Sequence, residues 1–69
     1  MKISARNQFK GNVKTITPGA VNSELTIEIA PGVVVTAQIT SSSVDRLGLK
    51  PGGTAYALIK ADNVMIGVD

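Results

Sequence analysis

Three short polar segments interrupt strand-like apolar sequence, and their side chains together suit a small anion. They are residues 4–7 (Ser-Ala-Arg-Asn, the N-terminal segment), residues 40–43 (Thr-Ser-Ser-Ser, the hydroxyl segment) and Lys60, which ends an apolar run. Arg6 offers a planar fork of donors that matches a tetrahedral oxyanion, and Lys60 adds a second positive charge. Hydroxyl groups donate hydrogen bonds without adding charge, and no carboxylate lies within any of the three segments. If the fold brings them together, we expect a receptacle for a doubly charged oxyanion.

Each segment also has an explanation that involves no ligand. Arg6 could belong to an exposed basic arm, and Lys60 could extend into solvent or pair with Asp62. The hydroxyl segment could simply cap a helix, with Ser42 as the capping residue, which would leave the neighbouring hydroxyls free. Only the combination of the three segments favours an anion site.

Other kinds of chemistry are poorly supported. The chain has no His and no Cys, so the usual general base, the usual nucleophile and the thiolate or imidazole ligands of metal sites are missing. No phosphate-binding glycine pattern is present. A Ser–Lys hydrolase that used Lys60 would need a nucleophilic Ser on a strained strand-to-helix turn, and the sequence has no such motif. We therefore expect a protein that is not an enzyme and that carries no cofactor or protein-bound metal cation.

Two further functions stay open. A small β-barrel could bind single-stranded nucleic acid, but that needs a basic groove with stacking aromatics. The chain has one Phe, one Tyr and a net charge of +2, so we expect no nucleic-acid partner. The other alternative is a structural assembly subunit without any ligand.

Size and composition predict a single domain, residues 1–69, that associates with copies of itself. A chain of 69 residues buries a small core, and without Cys or His it has neither disulfides nor zinc to stabilise it. Apolar residues make up 43% and charged residues only 17%, which favours an apolar surface covered by another subunit. No segment approaches the roughly 20 apolar residues of a membrane span, and the first residues lack the pattern of a signal peptide. We expect a soluble, cytoplasmic protein with no membrane partner.

Periodicity predicts five strands and one helical turn. Residues 25–29 and 33–40 alternate apolar and polar side chains and are joined at Pro31-Gly32, as expected of a hairpin. Residues 9–17 form a first strand in which Val13 and Ile16 require a bulge, placed near Gly11. Residues 56–59 and 64–68 are nearly all apolar, as in strands covered on both sides.

The helical turn lies between the third and fourth strands. Ser42 stands three residues before Asp45, and Gly48 can end the turn ahead of Lys50-Pro51. Five strands with a short helix in this position predict an all-β, small five-stranded OB-type barrel, with an SH3-like barrel as the nearest competitor.

At these residues the chain closely resembles the molbindins, the small molybdenum-pterin-binding-type (Mop) proteins. No single motif is specific, but the ordered set covers essentially the whole chain. The matching segments are residues 4–7, Gly11 and Val13, residues 18–24, residues 37–40 and Ser43, residues 47–52 and residues 57–61.

The resemblance implies an OB-type barrel that binds molybdate or tungstate without catalysis. It also implies a homohexamer, arranged as a trimer of dimers, with the oxyanions held between subunits. The chain is similar to the free-standing members of the family rather than to regulators or transporter ATPases that contain the same module. The role implied is intracellular molybdenum storage or homeostasis.

Carried over by position, the resemblance also implies the site residues. The oxyanion-binding set comprises Ser4 and Arg6, Thr40 and Ser43, and Lys60, with main-chain N–H groups near Ala5 and Ala61 as further donors. A second class of site is implied at other subunit contacts, with Ala20, Val21 and Asn22 as its candidates.

Overall fold

The computed structural model describes residues 1–69 and contains a single antiparallel sheet. Its strands are β1 (Asn7–Thr17), β2 (Asn22–Ala30), β3 (Val33–Thr40) and β4 (Thr54–Ile59), in the order β3-β2-β1-β4. One helix, α1 (Ser41–Arg46), connects β3 to β4, and a 3-10 turn (Ala61–Asn63) follows β4. The all-β class and the short helix between the third and fourth strands are therefore confirmed. No helix has the length and hydropathy that a membrane crossing requires.

The core lies on one face of β2 and is small. The buried Leu25 and Ile27 alternate with the half-buried Thr26 and Glu28, as predicted, and Ala57 of β4 packs with the two buried side chains. Only 5 of the 69 residues are buried, so most apolar side chains of the isolated chain keep some contact with water. The two outer strands β3 and β4 line one apolar groove, which shows that the sheet is curled.

The predicted fifth strand, residues 64–68, is absent from the single chain, which forms four strands rather than five. Met65, Ile66 and Val68 are 91%, 87% and 93% exposed, although the segment is apolar enough for a strand. A strand exists only when its main chain pairs with a neighbouring edge, and after the 3-10 turn no edge of this chain pairs with the segment. Strand β4 is likewise covered on one face only, with Tyr56 47% exposed. The folded chain is thus an open half-barrel.

The bulge predicted in β1 is present, but it lies beyond Gly11. Val13 pairs with Ile27 and Thr15 with Thr26, so Lys14 is the extra residue. The insertion lets Val13 and Ile16 both turn toward the interior, where a regular strand would place them on opposite faces. Gly11 instead allows a close approach of main chains, since a Cβ there would meet the Glu28 carbonyl group and lie 2.9 Å from Ile27 Cγ2.

Gly11→Ala is therefore expected to destabilise the fold by about 1–3 kcal/mol, because the added methyl group would clash with main-chain atoms of Glu28, which cannot move aside. Thermal unfolding of the variant would show the loss as a drop in Tm of roughly 4–8 °C per kcal/mol for a domain of this size. Asn12→Ala, at the next and exposed position of β1, is the control and should leave the Tm close to that of the parent. An unchanged Tm for Gly11→Ala would contradict the close approach.

Candidate functional site

Pairing between β1 and β4 brings the N-terminal segment to Lys60. Asn7 pairs with Ile59 in the antiparallel register, so the residue before Asn7 and the residue after Ile59 flank the same end of the ladder. The side chain of Asn7 strengthens this end by donating from Nδ2 to the Ile59 carbonyl at 3.0 Å. Arg6 and Lys60, far apart in sequence, are thereby placed beside one another.

Both cations line one open cavity of about 530 Å³. Three further residues that were predicted from the sequence to bind the oxyanion, Ser4, Ala5 and Ala61, lie in the same lining, together with Ile3, Leu58 and Asp62. Five of the seven predicted oxyanion-binding residues are thus brought together within one chain: Ser4, Ala5, Arg6, Lys60 and Ala61.

The two cations differ in their partners. The chain has two ion pairs, Lys14–Glu28 and Lys60–Asp62, so the Arg6 guanidinium has no carboxylate partner. Lys60 Nζ lies 3.8 Å from Asp62 Oδ2, as the sequence had suggested, and these side chains are 76% and 70% exposed. The cavity therefore presents one unpaired positive charge and one that is loosely paired.

Thr40 and Ser43 do not line this cavity. Thr40 ends β3 and pairs with Asn22, at the end of the sheet where β1 finishes, whereas Arg6 precedes the start of β1. The predicted hydroxyl donors therefore lie at a different end of the sheet from the two cations within one chain.

The residue that caps α1 is Thr40, and the prediction of Ser42 was wrong. Thr40 has extended backbone angles, φ −66° and ψ 146°, and its Oγ1 accepts from the Ser43 N–H at 3.2 Å. Ser42 is already inside the first helical turn, where the geometry of an N-cap is no longer available. Gly48 ends the helix as predicted, with φ +65°.

A short network of side chains surrounds this cap. Thr40 donates from its hydroxyl to Ser43 Oγ at 2.7 Å, and Arg46 Nη2 donates to the same oxygen at 3.4 Å. The second half of the predicted site thus carries a guanidinium that the sequence analysis did not include. Its position three residues after Ser43 on a helix was the available signal.

The three candidates for a second site lie beside the same helix start. Ala20, Val21 and Asn22 are all exposed, and the Val21 carbonyl accepts from the Ser41 N–H at 2.8 Å. The Ser41 hydroxyl donates to the Gly19 carbonyl at 2.6 Å and lies 2.7 Å from the hydroxyl of the buried Ser23. These contacts fix the turn between β1 and β2 against α1, and no cavity encloses the three candidates.

Sequence reasoning also missed the carboxylate in the cavity. Asp62 had been considered only as a partner for Lys60, yet it lines the same space as Arg6. The 3-10 turn that begins directly after Lys60 carries the Asp62 side chain back toward the cavity.

Comparison with known families identifies the class of domain. The chain matches the model of the TOBE domain over residues 3–66.

Individual relatives are similar over the whole chain. A probable molybdenum-pterin-binding protein of Haemophilus influenzae is 48% identical over 69 residues, which is 100% of both chains. The solved structure of MopII from Clostridium pasteurianum, 43% identical, superposes with a TM-score of 0.91 over 97% of this chain and 100% of that one. ModG, described as a cytoplasmic molybdate-binding protein and solved with molybdate bound, is 49% identical with a TM-score of 0.94, and the match covers 100% of this chain and 49% of ModG. The chain belongs to the TOBE-domain family, and within it to the molybdenum-pterin-binding (Mop) proteins, or molbindins.

Proposed function

We propose that this protein binds molybdate or tungstate without catalysis, in the cavity lined by Arg6 and Lys60. The observation that carries the proposal is that these two cations, separated by most of the sequence, share one cavity. Two positive charges balance a tetrahedral dianion, and each charge-assisted hydrogen bond to it contributes about 1.5–3 kcal/mol. Molybdate and tungstate have nearly the same size and charge, so the same donors serve both. The relatives described above as molybdenum-pterin-binding or molybdate-binding support this choice of anion.

Neutral donors complete the first half of the site. Ser4, Ala5 and Ala61 line the cavity together with the two cations, and we assign the Ser4 hydroxyl and the main-chain N–H groups of Ala5 and Ala61 as its neutral donors. They can donate to the remaining oxygens without changing the charge balance. Thr40 and Ser43 are the other hydroxyl donors of the proposed site, and Thr40 would have to redirect to the anion the proton that it donates to Ser43 Oγ in the single chain.

We infer that Thr40 and Ser43 reach the anion from a second copy of the chain. Within one chain they lie at a different end of the sheet from Arg6 and line no part of its cavity. An oxyanion at a contact between subunits would meet both halves at once, in a homo-oligomer for which a hexamer built as a trimer of dimers is proposed. The site of a single chain is accordingly incomplete.

The apolar surface of the isolated chain supports self-association. An apolar groove of about 590 Å³ lies between the outer strands β3 and β4, lined by side chains that include Ile39 and Tyr56. The predicted fifth strand, residues 64–68, is apolar and almost fully exposed. Each chain therefore exposes both an apolar groove and an apolar segment, residues 64–68. Reciprocal insertion of this segment into the groove of a second copy would cover both surfaces in a closed dimer.

The physiological role we propose is storage or homeostasis of molybdenum inside the cell. A non-catalytic binder with reversible charge-assisted contacts suits buffering of an oxyanion, and the cytoplasmic description of ModG supports this compartment.

Thermal unfolding with added anion tests the proposed binding. A ligand that binds only the folded protein stabilises it by about 2.7 kcal/mol when its concentration is a hundred times the dissociation constant. We expect Tm to rise with molybdate and with tungstate, and to rise less with sulfate, which is smaller. Equal Tm values with and without molybdate across its soluble range would refute the function, and elemental analysis of the purified protein for molybdenum provides an independent check.

A further inference from the structure

A carboxylate stands inside the proposed anion site. Asp62 lines the cavity together with Arg6 and Lys60, and its Oδ2 lies 3.8 Å from Lys60 Nζ. A negative charge beside a bound dianion is unexpected, because the charge repels the ligand. It also pairs with Lys60, one of the two cations that would neutralise the ligand.

We propose that Asp62 is an internal competitor of the oxyanion, which occupies Lys60 in the empty site and sets the affinity of the filled one. This inference rests on the proposed function. When the anion arrives, Lys60 exchanges the carboxylate for a ligand oxygen, and Asp62 turns toward solvent. When the anion leaves, Asp62 again provides the counter-charge.

The exposure of the pair makes this exchange easy. The Lys60 and Asp62 side chains are 76% and 70% exposed, and ion pairs of that kind contribute little to stability. Neither side chain has a hydrogen bond to another residue that would hold it in place. Lys60 can therefore leave Asp62 for a dianion, whose two charges attract it more strongly than a single carboxylate does.

The charge of the cavity gives Asp62 a role in selecting ligands. Arg6 and Lys60 contribute two positive charges and Asp62 removes one, so an ionised Asp62 leaves the cavity short of the charge of a dianion. Repulsion between Asp62 and the ligand grows in proportion to the charge of the ligand. The carboxylate consequently penalises molybdate about twice as strongly, in free energy, as a tetrahedral monoanion.

A purely structural role for Asp62 makes a different prediction. Asp62 lies in the first turn of the 3-10 segment, where a negative charge is favourable to the helix end. If that were its only role, removing the charge would loosen the turn and would lower or leave unchanged the affinity for every anion, whatever the charge of the ligand.

The test is calorimetric titration of the wild-type protein and of Asp62→Asn with molybdate and with perrhenate, a tetrahedral monoanion. We expect Asp62→Asn to bind molybdate about threefold to tenfold more tightly at moderate salt and perrhenate about twofold to threefold more tightly. Glu28→Gln is the matched control, because it removes the same charge from the only other ion pair, Lys14–Glu28 at 3.9 Å, outside the cavity. Its affinity for molybdate should equal that of the wild type.

The outcomes separate this inference from the function on which it rests. The role of Asp62 would be overturned if Asp62→Asn left the molybdate affinity unchanged or lowered it. It would also be overturned if Glu28→Gln raised the molybdate affinity equally, or if Asp62→Asn raised the molybdate affinity no more than the perrhenate affinity. In each of these cases, binding of molybdate by the wild type would leave the proposed function standing. A wild-type protein that bound no molybdate at all would remove both.

Discussion

Replacing Arg6 by glutamine or Lys60 by methionine is expected to weaken molybdate binding by about 10-fold to 100-fold. Each substitution removes one charge-assisted hydrogen bond, which contributes about 1.5–3 kcal/mol, and leaves half of the dianion charge unbalanced. Replacing Arg6 should lower the affinity more than replacing Lys60. The Arg6 guanidinium has no carboxylate partner, whereas Lys60 must break its ion pair with Asp62 before it binds the anion. Calorimetric titration with molybdate measures both losses directly.

Lys10→Met is the control for this pair of substitutions. Lys10 lies on β1, outside the cavity that Arg6 and Lys60 share, and it takes part in no ion pair. It lowers the net charge of the chain by the same amount as Lys60→Met does, so it reports the general effect of charge on anion affinity. Similar affinities for the Lys10, Lys60 and Arg6 variants would show that the anion binds at another place.

Replacing Ile66 by aspartate is expected to dissociate the homo-oligomer proposed above. Ile66 is 87% exposed in the isolated chain, and burying such a side chain in the groove of a partner contributes about 1.5–3 kcal/mol. An aspartate there would lose that gain and add the cost of an unpaired charge in an apolar groove. Because a reciprocal contact contains the residue twice, the dissociation constant of the dimer should rise on the order of 10⁴-fold.

Light scattering coupled to size-exclusion chromatography gives the mass of both forms. Val33→Asp serves as the comparison, since it places the same charge on a residue that is 49% exposed and outside the groove. We expect Val33→Asp to keep the mass of the wild-type assembly and Ile66→Asp to approach the mass of a single chain. An Ile66→Asp protein that stayed fully assembled would exclude residues 64–68 from the subunit contact.

Local signals in the sequence predicted the local structure well. The alternation around Leu25 and Ile27 identified the buried face of β2, and Pro31-Gly32 forms the predicted turn, with Gly32 at φ +74°. The bulge of β1 followed from the spacing of Val13 and Ile16, but its position depended on which residue β2 leaves unpaired. Pairing with β2 determines the position of the bulge, so the sequence of β1 alone could not place the bulge at Lys14.

The features that sequence reasoning missed depend on contacts between distant residues. Residues 64–68 have the composition of a strand, but pairing requires an edge that one chain does not offer them. A run of four hydroxyl residues offered several possible caps, and the end of β3 selected Thr40. The proximity of Arg6 to Lys60 comes from the register of β1 with β4, whereas the sequence could supply only the suitable residue types.

The separation of the Arg6 cavity from the hydroxyls of Thr40 and Ser43 would couple ligand binding to protein concentration in the oligomer proposed above. If one anion contacts two chains, then mass action links the two equilibria, and added oxyanion favours assembly just as added protein favours uptake of the anion. Dilution would then release bound oxyanion even when its free concentration is held constant. A cell could thus unload such a store by lowering the amount of the protein, with no change in any residue of the pocket.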